Sequence, residues 1–182
     1  YSSSVHGKGL IEKGLTVTAV CTDCHSTHNI LKESDELSTI FPKNVPATCA
    51  TCHKGIYDEY IKSDHAITID DGKNRYPTCV DCHTSHVIGS TGGDQFLNEV
   101  TNQCGSCHKE TAETYLLTYH GKSHALGNLK TAKCSDCHGS HYILNVNNPK
   151  SSVGSKNIVV TCQKCHPDAN IRFTGYLTHA TH

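Results

Sequence analysis

The sequence predicts a mostly coiled chain with short α-helices, almost no β-structure, and an interior that its own side chains cannot fill. Three observations carry this expectation. Bulky apolar residues are scarce, with no Trp, no Met and three Phe in 182 residues. All 12 cysteines fall in six C-x-x-C-H motifs. The stretches between motifs, such as Gly89 to Gly93 and Asn145 to Ser155, are polar and turn-rich, and strand signals are poor.

The motifs are Cys21/Cys24/His25, Cys49/Cys52/His53, Cys79/Cys82/His83, Cys104/Cys107/His108, Cys134/Cys137/His138 and Cys162/Cys165/His166. Zinc ribbons, a disulfide framework and redox C-x-x-C pairs also use closely spaced cysteines. None of them requires a particular residue after the second Cys, yet His follows in six cases of six, in a chain with His at 15 of 182 positions. C-x-x-C-H is the attachment signature of a c-type haem, in which both thiols add to the vinyl groups and the imidazole takes the iron. Six covalently bound haem c groups are therefore expected, with the porphyrins serving as the core and the chain as a thin wrapping around a haem stack. The haem-free chain should be disordered, as small metal-dependent domains are without their metal.

In order, the chain reads as a single hexahaem domain of three two-haem repeats, at about 1–60, 61–115 and 116–182. Each repeat opens on a His followed by a small residue: His6-Gly7, His65-Ala66 and His120-Gly121. A C-x-x-C-H-x-x-H motif comes next, ending at His28, His86 or His141, and leads into an apolar pair, Ile30-Leu31, Val87-Ile88 or Ile143-Leu144, expected to pack on a haem face. A polar loop and a plain C-x-x-C-H complete the repeat. Thr48, Thr78 and Thr161 precede motif cysteines where an N-cap would sit. Helical spacing follows two plain motifs, over Lys54 to Asp64 and Lys109 to Tyr119. An aromatic residue stands seven positions after each plain-motif His, at Tyr60, Tyr115 and Phe173, and is expected to pack.

Six histidines are spent as proximal ligands and nine remain. Each iron needs a sixth ligand unless it is left open for chemistry, and with no Met available bis-histidine ligation is the economical expectation. Recurrence in step with the motifs nominates His6, His28, His65, His86, His120, His141 and His179; His124 and His182 have no counterpart in the repeat. His28, His86 and His141 lie three residues beyond a proximal ligand and on its side of the haem, so each is expected to serve a neighbouring iron. Seven candidates for six irons leave one over. Because His6 and His179 occupy equivalent places at opposite ends, one of them is expected to ligate a haem of an adjoining subunit.

The formal charge of −1 is spread along the chain and gives no nucleic-acid footprint. No apolar run approaches the roughly 18 residues needed to cross a bilayer. Beginning at Tyr1, the chain reads as a processed export product, extracellular or at the cell surface, otherwise periplasmic. Over nearly its whole length it resembles the multihaem c-type cytochromes, and among them it is similar to the extracellular cytochrome filaments of metal-reducing bacteria and some archaea. That resemblance implies electron transfer without bond-making chemistry, a continuous chain of haems, and a His from one subunit completing a haem site in the next. Soluble periplasmic shuttles share the doubled motif and form the alternative. A nitrite- or hydroxylamine-type reductase is the third, but the C-x-x-C-K haem of multihaem nitrite reductases is missing.

Overall fold

The computed structural model describes residues 1–66, 76–176 and 179; His182 lies outside them. They form short α-helices and one 3-10 turn, with no strand among the described residues, which is the expected fold class. The chain divides into two compact units, Tyr1–Phe96 and Leu97–His182. The first contains α1 (Val5–Ile11), α2 (Cys21–His25), α3 (Val45–Ala50), α4 (Lys54–Tyr60), α5 (Cys79–His83) and the start of α6 (Asp94–Cys107). Within it α3 packs against α2, α4 and α5. The second contains the rest of α6, then α7 (Lys109–Leu116), α8 (Tyr119–Ala125), α9 (Cys134–His138), α10 (Ile158–Gln163) and the 3-10 turn Phe173–Gly175. There α7 packs on α8, and α10 on the turn.

The three doubled motifs make the shortest helices, α2, α5 and α9, each running from the first Cys to the proximal His. Five residues are too few to be helical on propensity alone. An aspartate in the third position of each supplies what is missing. Asp23, Asp81 and Asp136 accept the backbone N–H of Val20, Thr78 and Lys133 at 2.8, 2.7 and 2.7 Å. The carboxylates also sit in the first turn, where the helix dipole favours negative charge. Each helix stops where the next residue takes a positive φ: Ser26 at 66°, Thr84 at 61° and Gly139 at 80°, with ψ between 175° and 178°.

The capping expectation holds at Thr78 and not at Thr48 or Thr161. Helices α3 and α10 begin four residues earlier than those caps would place them, so these threonines lie inside them, and their hydroxyls donate to the carbonyls of Thr39 and Ser152, both at 2.7 Å. Helices α4 and α7 begin where expected but end before Asp64 and Tyr119, because the chain turns into the segment that opens the next repeat.

Two long loops are one structure built twice, at an offset of 113 residues. The hydroxyls of Ser38 and Ser151 donate to the carbonyls of Leu31 and Leu144. Those of Thr39 and Ser152 donate to Cys24 and Cys137, at 2.5 and 2.6 Å. The Asn44 amide donates to Glu36 and Ser38, and that of Asn157 to Pro149 and Ser151. The middle repeat has helix α6 instead of this loop.

A second recurrent device is a tyrosine clasp. The hydroxyls of Tyr1, Tyr60 and Tyr115 donate to the carbonyls of Ala19, Pro77 and Ala132 at 2.7, 3.0 and 2.8 Å. In each case the acceptor lies two residues before the first Cys of a doubled motif. Hydroxyl-to-carbonyl bonds thus do much of the work that apolar packing does elsewhere. Among the described residues the buried apolar side chains are Val45, Tyr115, Leu144 and Ala169, whereas Val17, Leu37 and Leu126 are more than 80% exposed.

Candidate metal and cofactor centres

The proximal histidines His25, His53, His138 and His166 each face a second imidazole. His6 lies across from His53 with ring centroids 6.2 Å apart, and His25 across from His86 at 5.9 Å and nearly parallel, 7° between planes. In the second unit His120 faces His166 at 6.1 Å and His138 faces His179 at 5.9 Å. These separations fit a metal between the rings. A metal–imidazole nitrogen bond is about 2 Å and the ring centre lies about 1 Å behind the nitrogen, so two rings ligating one metal from opposite sides stand about 6 Å apart.

The elements explain the pairing. Helices α1 and α8 begin on a hydroxyl cap, Ser4 accepting from the Gly7 N–H and Thr118 from the Gly121 N–H, at 3.0 and 3.2 Å. Gly7 and Gly121 press against the backbone of Tyr1 and of Tyr115-Leu116, leaving no room for a side chain. His6 and His120 are each the residue before that glycine, so the packing that requires glycine also aims the imidazole. Burial, and next the facing ring, lower the pKa of His6 and His120, and the same causes with His108 added lower that of His138. Burial alone does so at His141. A neutral imidazole is the form that binds iron.

The donors come in twos. Among the described residues no three His, Cys, Asp or Glu side chains converge on a metal-sized site. None of the 12 cysteines is in a disulfide. Their thiols instead bring successive motifs together. Cys24 lies near Cys49 and Cys52, and Cys49 lies near Cys79, in the first unit. Cys104 lies near Cys134, and Cys137 near Cys162 and Cys165, in the second. Attachment points therefore adjoin in chain order within each unit, as they must if cofactors are packed side by side.

By motif alone Cys79 and Cys82 are equivalent attachment points for the third haem; in the structure they differ. Cys79 reaches back to Cys49, whereas Cys82, half-buried in α5, lies near Cys79 and the clasp residue Tyr60 and engages a neighbouring group. Three residues of helix advance the chain by about 4.5 Å, which is enough to give the two thiols different surroundings.

The remaining candidates divide. His65 and His141 are half-buried, and both, like His83 and His108, engage neighbouring groups. His28 is exposed, with the Thr27 hydroxyl 3.2 Å from Nδ1 and no facing ring among the described residues. Two aromatic rings lie against proximal ligands: Phe96 stacks on His83 at 5.2 Å, and Phe173 tilts against His166 at 4.9 Å. Phe173 was legible from its place in the repeat. Phe96 was not, because it sits on α6, the one element without a counterpart. His124, which has no counterpart as a histidine, is half-buried with Nδ1 enclosed and lacking a hydrogen-bond partner.

A family model described as "Doubled CXXCH motif" matches residues 15–56. The chain matches no curated protein and no solved structure. Residues 128–169, which repeat the matched segment at the 113-residue offset, carry the same hydrogen-bond frame and another pair of C-x-x-C-H motifs. The paired C-x-x-C-H motifs indicate a multihaem c-type cytochrome, with covalently bound haem c and electron transfer as its work. Among the described residues no helix is long and apolar enough to cross a membrane.

Proposed function

We propose that the chain holds six bis-histidine haem c groups and conducts electrons along them as one subunit of an end-to-end extracellular assembly. The observation that carries the reading is the set of four imidazole pairs spaced about 6 Å apart, as two ligands of one metal are. They support His86, His6, His179 and His120 as distal ligands to the irons of His25, His53, His138 and His166. His65 and His141 remain for the irons of His83 and His108. When bound, haem c supplies an iron that takes up and returns one electron. The residues do the rest: cysteines fix each group covalently, paired imidazoles close both axial positions to oxygen and small anions, and burial keeps those imidazoles neutral.

End-to-end assembly is supported by the imidazole left over. His6 and His179 each face a ring within the chain, so the surplus falls to His28. His86, the doubled-motif His of the second repeat, faces the iron ligand of the preceding doubled motif, His25. By that rule His28, in the first doubled motif, has no earlier one in its own chain to serve. It serves the last doubled motif, at His138, of a preceding copy, in place of His179. Such a contact is head-to-tail and does not close, so it propagates.

The pyridine haemochrome assay should return six haems per chain with an entirely low-spin spectrum, and electron micrographs should show filaments. Fewer haems, or a high-spin fraction that binds cyanide, would overturn six closed sites. Monodisperse single copies at high concentration would leave a discrete electron shuttle and remove the filament.

A further inference from the structure

The two copies of the duplicated wrapping stand at different electrostatic levels. Residues 15–56 carry three lysines against four carboxylates, and residues 128–169 carry five lysines against two, net −1 and +3. Because the hydrogen-bond frame is shared, the copies can be compared position by position, and two of the differences fall beside attachment cysteines. Val20, immediately before Cys21, corresponds to Lys133, immediately before Cys134; Thr51, inside the second motif, corresponds to Lys164, inside the sixth.

Lys133 is the decisive residue. It is only 4% exposed, and its Nζ donates to the carbonyls of Leu129 and Thr131 at 2.6 and 3.2 Å. Asp136 accepts the backbone N–H of Lys133, as Asp23 and Asp81 do for the residues before their motifs, so the aspartate does not distinguish the three sites. Among the described residues the ammonium has carbonyl partners and no carboxylate. A charge so enclosed is little screened by salt and acts through a low effective dielectric. Its field is felt nearby: after burial, Lys133 is what lowers the pKa of His124, the residue that replaces Leu10 of α1. Lys164, which is exposed, lies near Cys137 and opposes the upward push of burial on that thiol.

One-electron reduction, Fe(III) to Fe(II), lowers the charge of a bis-imidazole haem site by one, so a fixed cation close by favours the reduced form. We propose that Lys133, seconded by Lys164, raises the reduction potential of the haem c held by Cys134 and Cys137 above that of the haem c held by Cys21 and Cys24. An electron supplied by a soluble low-potential donor then rests by preference on the second copy. This rests on the electron-transfer reading above.

The test is spectroelectrochemical titration of the haem-loaded protein, comparing Lys133→Gln, Lys133→Arg and the wild type. Lys133→Val is the fallback should Gln fail to fold, since Val20 already fills this position in the first copy. In the Gln or Val variant about one sixth of the absorbance change, one haem of six, should move to lower potential, a several-fold fall in the equilibrium constant for reducing that haem. Lys133→Arg should leave the curve in place. Superimposable titrations for Gln and wild type, or an equal fall with Arg, would overturn the proposal. Haem content and spin state on the same samples keep the two readings apart: six low-spin haems with no shift removes only the tuning by Lys133.

Discussion

At the scale of single residues, the backbone after each doubled-motif helix is held where L-residues are rarely found. Ser26 and Thr84 combine φ of 66° and 61° with ψ near 180°, a region that is essentially glycine's own, and Gly139 fills the equivalent place in the third motif. The bend falls between the two histidines of each motif, so the strain is tied to where the second His is carried. Thr84→Gly and Ser26→Gly should therefore stabilise the loaded protein by about 1 kcal/mol each, and Gly139→Ala should cost a similar amount, read as denaturant midpoints at unchanged haem content. The clasp tyrosines give a second prediction. Burial, with smaller contributions from nearby Cys and Asp groups, pushes the pKa of Tyr60 and Tyr115 from 10.0 up to about 12. An acid whose pKa is raised by folding contributes its full stability below the unfolded value and loses it as pH rises through the folded one. Wild-type stability should fall between about pH 10 and 12, and Tyr115→Phe, about 1 kcal/mol less stable at neutral pH for want of one hydrogen bond, should show a smaller alkaline fall.

At the scale of elements, the fold is a set of short segments that are not stable alone and are fixed by side-chain hydroxyls, aspartates and glycines. Helix α8 shows the arrangement in full, with the Thr118 cap, the Tyr115 clasp and Gly121 seated against the backbone before it. Gly121→Ala should separate the start of α8 from the Tyr115 carbonyl and withdraw His120. A high-spin haem signal at full haem content, absent from the wild type, is the expected outcome, because the imidazole facing His166 would be displaced while the cysteines still hold the group. Much of this was legible in the sequence where residues recur: the His-small pairs, the doubled motifs and Tyr60 and Tyr115 all lie in step. The helix starts at α3 and α10 were not, since Thr48 and Thr161 resemble caps locally and bond across a loop instead. Nor was Tyr1, whose clasp onto Ala19 is seen only when the fold brings residues 18 positions apart together. Spacing within a motif reports local geometry; a bond that closes a loop depends on the length and turns of everything between.

At the scale of the whole molecule, counting histidines gives one in excess, and repeat position assigns it to the ends, to His6 or His179, with His28 spent on a neighbouring iron. Spatial pairing points elsewhere: His6 and His179 each face a ring, and His28 faces none among the described residues. If His28 is the ligand offered to another copy, His28→Ala should leave each isolated subunit with six low-spin haems, since no iron within the chain depends on it, and yet abolish filaments. His179→Ala should do the reverse in part. Its single copies should show one high-spin site at His138, and that signal should disappear as assembly brings the His28 of a neighbour onto the vacated face. Electron microscopy with spin-state spectroscopy on both variants reads the two outcomes together. Filaments that persist in His28→Ala would mean that the copies join through protein surface alone, and a high-spin signal in that variant's single copies would mean that His28 serves an iron of its own chain.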